Sequence, residues 1–149
     1  MNIDAAISQM NNLITALPPI TEEATIAMAM NAKAMIQDRV QTTGMTATQM
    51  MSPYSKGYAA KRASKGKQTA FVDLTFTGEM FRTLEVTESG VTDNIGHATL
   101  YTKNALTARK LMDMEDIKRF TLDLNEQEKV ELQNDFGQEM SKRIMTYIK

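Results

Sequence analysis

A chain of 149 residues with a net charge of −1, no cysteine and a single histidine has room for one domain, 1–149, and little equipment for chemistry. The missing cysteine excludes a disulfide framework, a thiolate zinc site and a thiol nucleophile, and one histidine leaves carboxylates to complete any metal set. No apolar run approaches the ~20 residues of a membrane span, and Met1-Asn2-Ile3-Asp4 lacks the basic and apolar stretches of a secretion signal, so synthesis in a cytoplasm with no membrane partner is the expectation.

Ile3, Ala6, Ile7, Met10, Leu13, Ile14 and Leu17 recur at steps of three and four, which predicts a helix over 3–17 with one apolar face. Pro18-Pro19 is expected to stop it, because proline lacks the backbone donor. Thr21 can cap a second helix over 21–43, with Glu22 and Glu23 at its positive end, and Gly44 suits a C-terminal cap. Residues 44–69, punctuated by Gly44, Pro53, Gly57 and Gly66, read as a long loop, and loops of that length in compact domains are usually functional or disordered.

Ala70–Phe76 is rich in strand formers, and Glu79–Arg82 reads as a short turn or helix. Thr83–Thr87 and Val91–Ile95 flank Ser89-Gly90, the pattern of a hairpin, and a further strand is expected near 98–102. Asn104–Ile117 suggests a helical turn plus loop. Asn125 followed by Glu128 resembles a capping box ahead of a helix over 125–148, where Leu132, Phe136, Met140, Ile144 and Ile148 recur every four residues and Gly137 suggests close packing. The fold expected is α+β: an antiparallel sheet of three to four strands over 70–102, packed against N-terminal and C-terminal helices. Thirteen methionines and no tryptophan suggest a core filled by adaptable side chains.

The inventory offers no catalytic residues, no metal ligands and no cofactor-binding loop. His97 has only Gly96 and Ala98 beside it. Asp113-Met114-Glu115-Asp116 reads as a solvated turn, and Glu126-Gln127-Glu128 complements a helix N-terminus. Lys56-Gly57 and Lys65-Gly66-Lys67 lack the glycine spacing of a phosphate cradle. The chain is not expected to be an enzyme.

Charge is uneven. Between Ser52 and Val72 stand Lys56, Lys61, Arg62, Lys65 and Lys67 with no acid, whereas Leu111–Glu139 carries nine acids against three bases. Tyr54 and Tyr58 interleave with the basic residues, a mixture that can follow a phosphate backbone and stack on bases. The alternatives are a solvated loop or a surface that pairs with acidic residues of a neighbouring subunit, where complementary charge fixes orientation and speeds encounter.

Two stretches carry a resemblance. Pro53-Tyr54-Ser55-Lys56, Lys61-Arg62 and Lys65-Gly66-Lys67 lead into Val72-Asp73-Leu74-Thr75-Phe76-Thr77-Gly78-Glu79-Met80-Phe81-Arg82-Thr83-Leu84-Glu85-Val86, and Arg119-Phe120-Thr121-Leu122-Asp123-Leu124-Asn125-Glu126-Gln127-Glu128 leads into the last helix. In that order they resemble the phage virion-morphogenesis family, the Mu G-like tail-completion and head–tail joining neck proteins. Asp123 and Asn125 stand where the family usually has Gly and Ser. The resemblance implies a virion protein that forms a ring homo-oligomer, a hexamer in contractile or long-tailed phages, contacting connector and tail-tube proteins and, in the channel, genomic DNA. Gly78 is expected to turn the chain sharply, Met80, Phe81 and Leu84 to close over the sheet, Arg119-Phe120 to anchor the approach to the last helix, and Leu122 with Leu124 to act as a hydrophobic staple.

Overall fold

The computed structural model describes residues 3–75, 77–117 and 119–148. Its spine is one helix, α1 (Ile3–Thr43), with Pro18 and Pro19 inside it. The expected break between 3–17 and 21–43 does not occur. Proline's fixed φ suits a helix, and its costs are the crowding of its ring against the carbonyl four residues back and the missing N–H, which leaves the carbonyls of Ile14 and Thr15 without helical donors. Both residues are exposed, so those carbonyls face water and the helix runs on. The prolines mark a different boundary: no residue from Ile3 to Pro19 is buried, and Ile20, Ala24, Thr25, Ile36 and Val40 are.

Gly44 ends α1 as expected. Its φ is +70°, its N–H donates to the Val40 carbonyl at 3.0 Å, and a Cβ there would meet the Phe71 side chain at 2.8 Å. Only glycine satisfies both the left-handed backbone and the space.

The C-terminal helix α5 (Glu126–Ile148) lies antiparallel along α1. Arg39 Nη1 meets Glu128 Oε2 at 2.6 Å near one end, and Arg143 pairs with Glu23 near the other. The capping box forms: Asn125 Oδ1 accepts from the Glu128 N–H and Glu128 Oε2 accepts from the Asn125 N–H, each at 2.8 Å. Gly137 differs from expectation, since a Cβ on it would meet open space and no close packing explains it.

Across α1 lies a hairpin of β1 (Leu84–Thr92) and β2 (Ile95–Thr102), paired from Leu84↔Thr102 to Thr92↔Ile95. Among the described residues this two-stranded sheet replaces the three to four strands expected. Asp93 and Asn94, at φ of 51° and 62°, make the tight turn that the twist of a hairpin favours. Ser89-Gly90, expected to be the turn, lies inside β1 opposite Ala98 and His97. The His97 ring covers Gly90, where a Cβ would sit 3.0 Å from the imidazole.

Ala70–Thr75 is not a strand, and Phe76 lies outside the described residues. Its polar groups turn to side chains instead of a neighbouring strand, and Leu74 takes φ of +55°, which ends any extended run. The expected loop over 44–69 contains α2 (Lys56–Ala63), capped by Ser55. The short helix expected at 79–82 forms as α3 (Glu79–Arg82). The segment expected as a turn plus loop is a full helix, α4 (Ala105–Asp116), whose N-cap Asn104 accepts from the Thr107 N–H at 3.0 Å.

The main core gathers Ile36, Val40, Met51, Val72, Met80, Phe81, Leu84, Leu111 and Phe120, with Leu122 and Leu124 packed at its margin. Met10, Met30, Met50, Met112 and Met145 are exposed, so core filling accounts for only part of the methionine content. No helix of the described residues is long and apolar enough to cross a membrane.

Candidate interaction surface

The basic segment divides into an inward anchor and an outward face. Arg62, though charged, is 1% exposed. Its Nη2 donates to both Asp73 oxygens at 2.9 and 2.8 Å, and its Nε donates to the Gln68 carbonyl at 3.0 Å. The guanidinium lies over the Tyr54 ring, 4.6 Å from its centroid, a stacking that suits Arg when it is desolvated.

Asp73 is the hub of this cluster. The Tyr54 hydroxyl donates to Oδ1 at 3.0 Å and itself accepts from the Asp73 N–H at 3.1 Å. Gln68 Nε2 donates to Oδ2 at 2.6 Å, and the Thr75 N–H donates to Oδ1 at 3.0 Å, spanning the left-handed Leu74. Burial works to raise the Asp73 carboxyl, but the donors from Gln68, Thr75 and Tyr54 outweigh it and hold the group below the usual carboxylate range. Burial pushes the Tyr54 phenol above its ordinary value, opposed by the Asp73 N–H that its oxygen accepts and helped by its donation to the Asp73 carboxylate. The cluster therefore favours an ionised Asp73 and a neutral Tyr54.

This anchor fixes α2. Lys56, Lys61 and Lys65 are exposed on it and just past its end, while half-buried Lys67 reaches the Thr75 carbonyl at 3.4 Å. Tyr58 is 37% exposed and packs on Tyr54 with ring centroids 5.2 Å apart. A cleft of about 340 Å³ separates α2 from α4, lined in part by Tyr54, Tyr58, Met80 and Lys110. The residues singled out from the sequence are thus brought together, with one correction. Arg62 holds the surface in place and is not displayed on it. Asp73 and Gln68 were missed, although Asp73 is the first acid after five bases, a signal that could have suggested a local pair.

The motif residues around Gly78 and Arg119 meet in the core. Gly78 has φ of +69°, and the α3 that follows buries Met80 and Phe81. Phe81 meets Phe120 edge to face at 6.4 Å between centroids, and Arg119 Nη2 donates to the Ser52 carbonyl at 3.1 Å. The two stretches, far apart in sequence, are one packed unit. Leu122 and Leu124 pack beside it and line a groove along α1.

His97 is exposed on β2, not in a polar cleft, and among the described residues no group of three or more His, Cys, Asp or Glu could hold a metal ion. Acidic side chains are displayed elsewhere: Asp113, Glu115 and Asp116 on α4, Asp123, and Glu126 and Glu131 on α5 are exposed. No family model, curated protein or solved structure matches the chain.

Proposed function

We propose that the chain is a structural subunit of a tailed-phage virion, assembling as a ring at the neck or upper end of the tail, where it completes the tail or joins it to the head. The observation that carries this reading is the pairing of the two family-like stretches into one unit, with Phe81 on Phe120 and a firmly anchored basic helix on its surface. Those residues are spent on rigidity and display, as a subunit that works by fitting its faces to others requires. A closed ring needs a heterologous interface, one patch meeting a different patch on the next copy, and the exposed Lys56, Lys61 and Lys65 are complementary to the acidic side chains of α4 and α5.

The test reverses the displayed charges and leaves the anchor intact. Lys56→Glu, Lys61→Glu and Lys65→Glu together should leave the monomer's melting temperature nearly unchanged and prevent particle assembly. Normal particles from that variant would refute the reading. A second reading, DNA binding by the same face, is favoured by Tyr58 beside the lysines. It requires affinity for DNA that falls steeply with salt, which a gel-shift titration at two salt concentrations measures.

A further inference from the structure

α1 extends past the rest of the protein. Lys33 Nζ binds the Leu84 carbonyl at 2.8 Å and Ser89 Oγ binds Glu22 at 2.8 Å, so β1 runs down α1 toward its N-terminus. Arg143 of α5 pairs with Glu23, which at ~1.5 Å per residue brings the end of α5 near Pro18. Beyond that point the helix carries Ile3, Ile7, Met10 and Ile14 exposed at 74%, 52%, 65% and 61%. Their spacing of four, three and four places them on one face, and Asp4 is the only charged residue before Glu22. The result is an apolar arm projecting from the fold.

The same molecule holds an apolar groove. It has a volume of about 490 Å³ and lies between α1, β2 and the approach to α5, lined chiefly by Met28, Ala29, Ile36, Leu100, Leu122 and Leu132, with His97 also in its walls and, among the described residues, no Asp, Glu, Lys or Arg. An apolar helical face and a groove walled mainly by apolar side chains suit each other, since neither strands an acid, a lysine or an arginine when water leaves. The arm cannot fill its own groove, because both belong to the same continuous helix: Met10 and Ala29 are separated by ~29 Å at 1.5 Å per residue.

We propose that the arm of one copy docks in the groove of the next, with Ile3, Ile7, Met10 and Ile14 as its anchors, in the helix-in-groove manner. The occupant is a second copy of this chain. Pairing of two arms with each other is the weaker solution, because their apolar repeat spans about two heptads where coiled coils sustain three or four. A patch that fits a pocket elsewhere on the molecule makes a head-to-tail contact, which closes into a ring or runs on as a filament. This inference rests on the ring reading above and adds to its charged contact a second, apolar contact between neighbouring copies.

The absence of cysteine permits a clean test on the full chain. Met10→Cys and Ala29→Cys are made singly and together, and each protein is oxidised at a concentration where the wild type self-associates. A disulfide needs Cα atoms within ~7 Å, so the double variant cannot close on itself within one straight helix. The expected result is a covalent ladder from the double variant, a heterodimer from the mixed single variants, and no dimer from either single variant alone. Ile7→Asp with Ile14→Asp, in an exposed arm, should preserve the circular-dichroism melt and weaken self-association at least tenfold in sedimentation. Dimers from Met10→Cys alone would overturn the proposal in favour of paired arms. Oligomers that neither cross-link nor respond to the aspartates would overturn it while sparing the ring reading, and a wild type that is monomeric at every concentration would overturn both.

Discussion

Gly96 of β2 sits against Thr25 of α1 so closely that a Cβ on the glycine would collide with the threonine hydroxyl. That Thr25 Oγ donates to the Thr21 carbonyl at 2.8 Å, so the side chain is held in the position that excludes a methyl. The hairpin approaches the long helix at a place where one residue has no side chain and the other's is fixed. Gly96→Ala should therefore destabilise the protein by about 1–3 kcal/mol, the usual cost of forcing a methyl into a packed contact. Thr25→Ala removes the obstructing oxygen, and the double variant should recover most of the loss in a denaturant-unfolding cycle. Strict additivity of the two single losses would show that the contact is not what matters.

The Arg62–Asp73 pair predicts a second asymmetry. Removing one partner of a buried ion pair leaves the other charge uncompensated, at a cost of about 3–5 kcal/mol. Asp73→Ala should reach that range, because Tyr54, Gln68 and the Thr75 N–H lose their acceptor as well. Asp73→Asn keeps an acceptor oxygen and should lose less. Arg62→Glu should unfold the region outright, in contrast to reversal of exposed Lys56 or Lys61. Equal tolerance of Arg62→Glu and Lys56→Glu, measured as melting temperature, would contradict the division into anchor and displayed face.

The same cluster sets a pH window. Asp73 is held below its ordinary carboxylate range in the folded protein, so its contribution is fully present above the unfolded value of ~3.9 and is lost as pH falls through the lower folded value. Tyr54 is raised, so its contribution is present below the unfolded value of ~10 and is lost as pH rises through the higher folded one. The cluster's share of stability should be level from about pH 5 to pH 9 and decline on both sides. Asp73→Asn should flatten the acid limb and Tyr54→Phe the alkaline limb in denaturant midpoints taken across pH.

Several features were legible because short-range signals and three-dimensional packing agreed. Asn125 with Glu128 announced a capping box that forms, Gly44 announced the end of α1, and the four-residue repeat from Leu132 announced α5. Elsewhere a strong local rule was overridden. Pro18-Pro19 carries a steric and hydrogen-bonding cost, yet α1 runs through it where the residues whose carbonyls it orphans, Ile14 and Thr15, are exposed. Ser89-Gly90 reads as a turn until the His97 ring is seen to need the space over Gly90, and Asp93-Asn94 then makes the turn. Five cations together mark the basic segment as a surface, but which of them turns inward depends on Asp73, a residue whose role becomes visible only when Tyr54 and Gln68 close around it. The groove along α1 had no signature at all, since its walls come from residues as distant as Met28 and Leu132.

Arg39 and Glu128 join the two long helices with a single carboxylate that serves twice. Glu128 Oε2 accepts from Arg39 at 2.6 Å and from the Asn125 N–H at 2.8 Å, while Arg39 Nη2 also donates to the Asp123 carbonyl at 2.8 Å. The start of α5 and its attachment to α1 therefore share one carboxylate oxygen. Losing a helix cap costs about 1 kcal/mol, whereas leaving a mostly buried guanidinium without its partner costs several. Glu128→Gln should retain the cap, because its amide oxygen still accepts, and weaken the tie to Arg39. Asn125→Ala should weaken the cap and leave the tie. Hydrogen exchange separates them: Asn125→Ala should raise exchange in the first turn of α5 alone, and Glu128→Gln should raise it along the α1–α5 contact. The same exchange pattern from both variants would mean that cap and tie cannot be lost separately and would contradict this division.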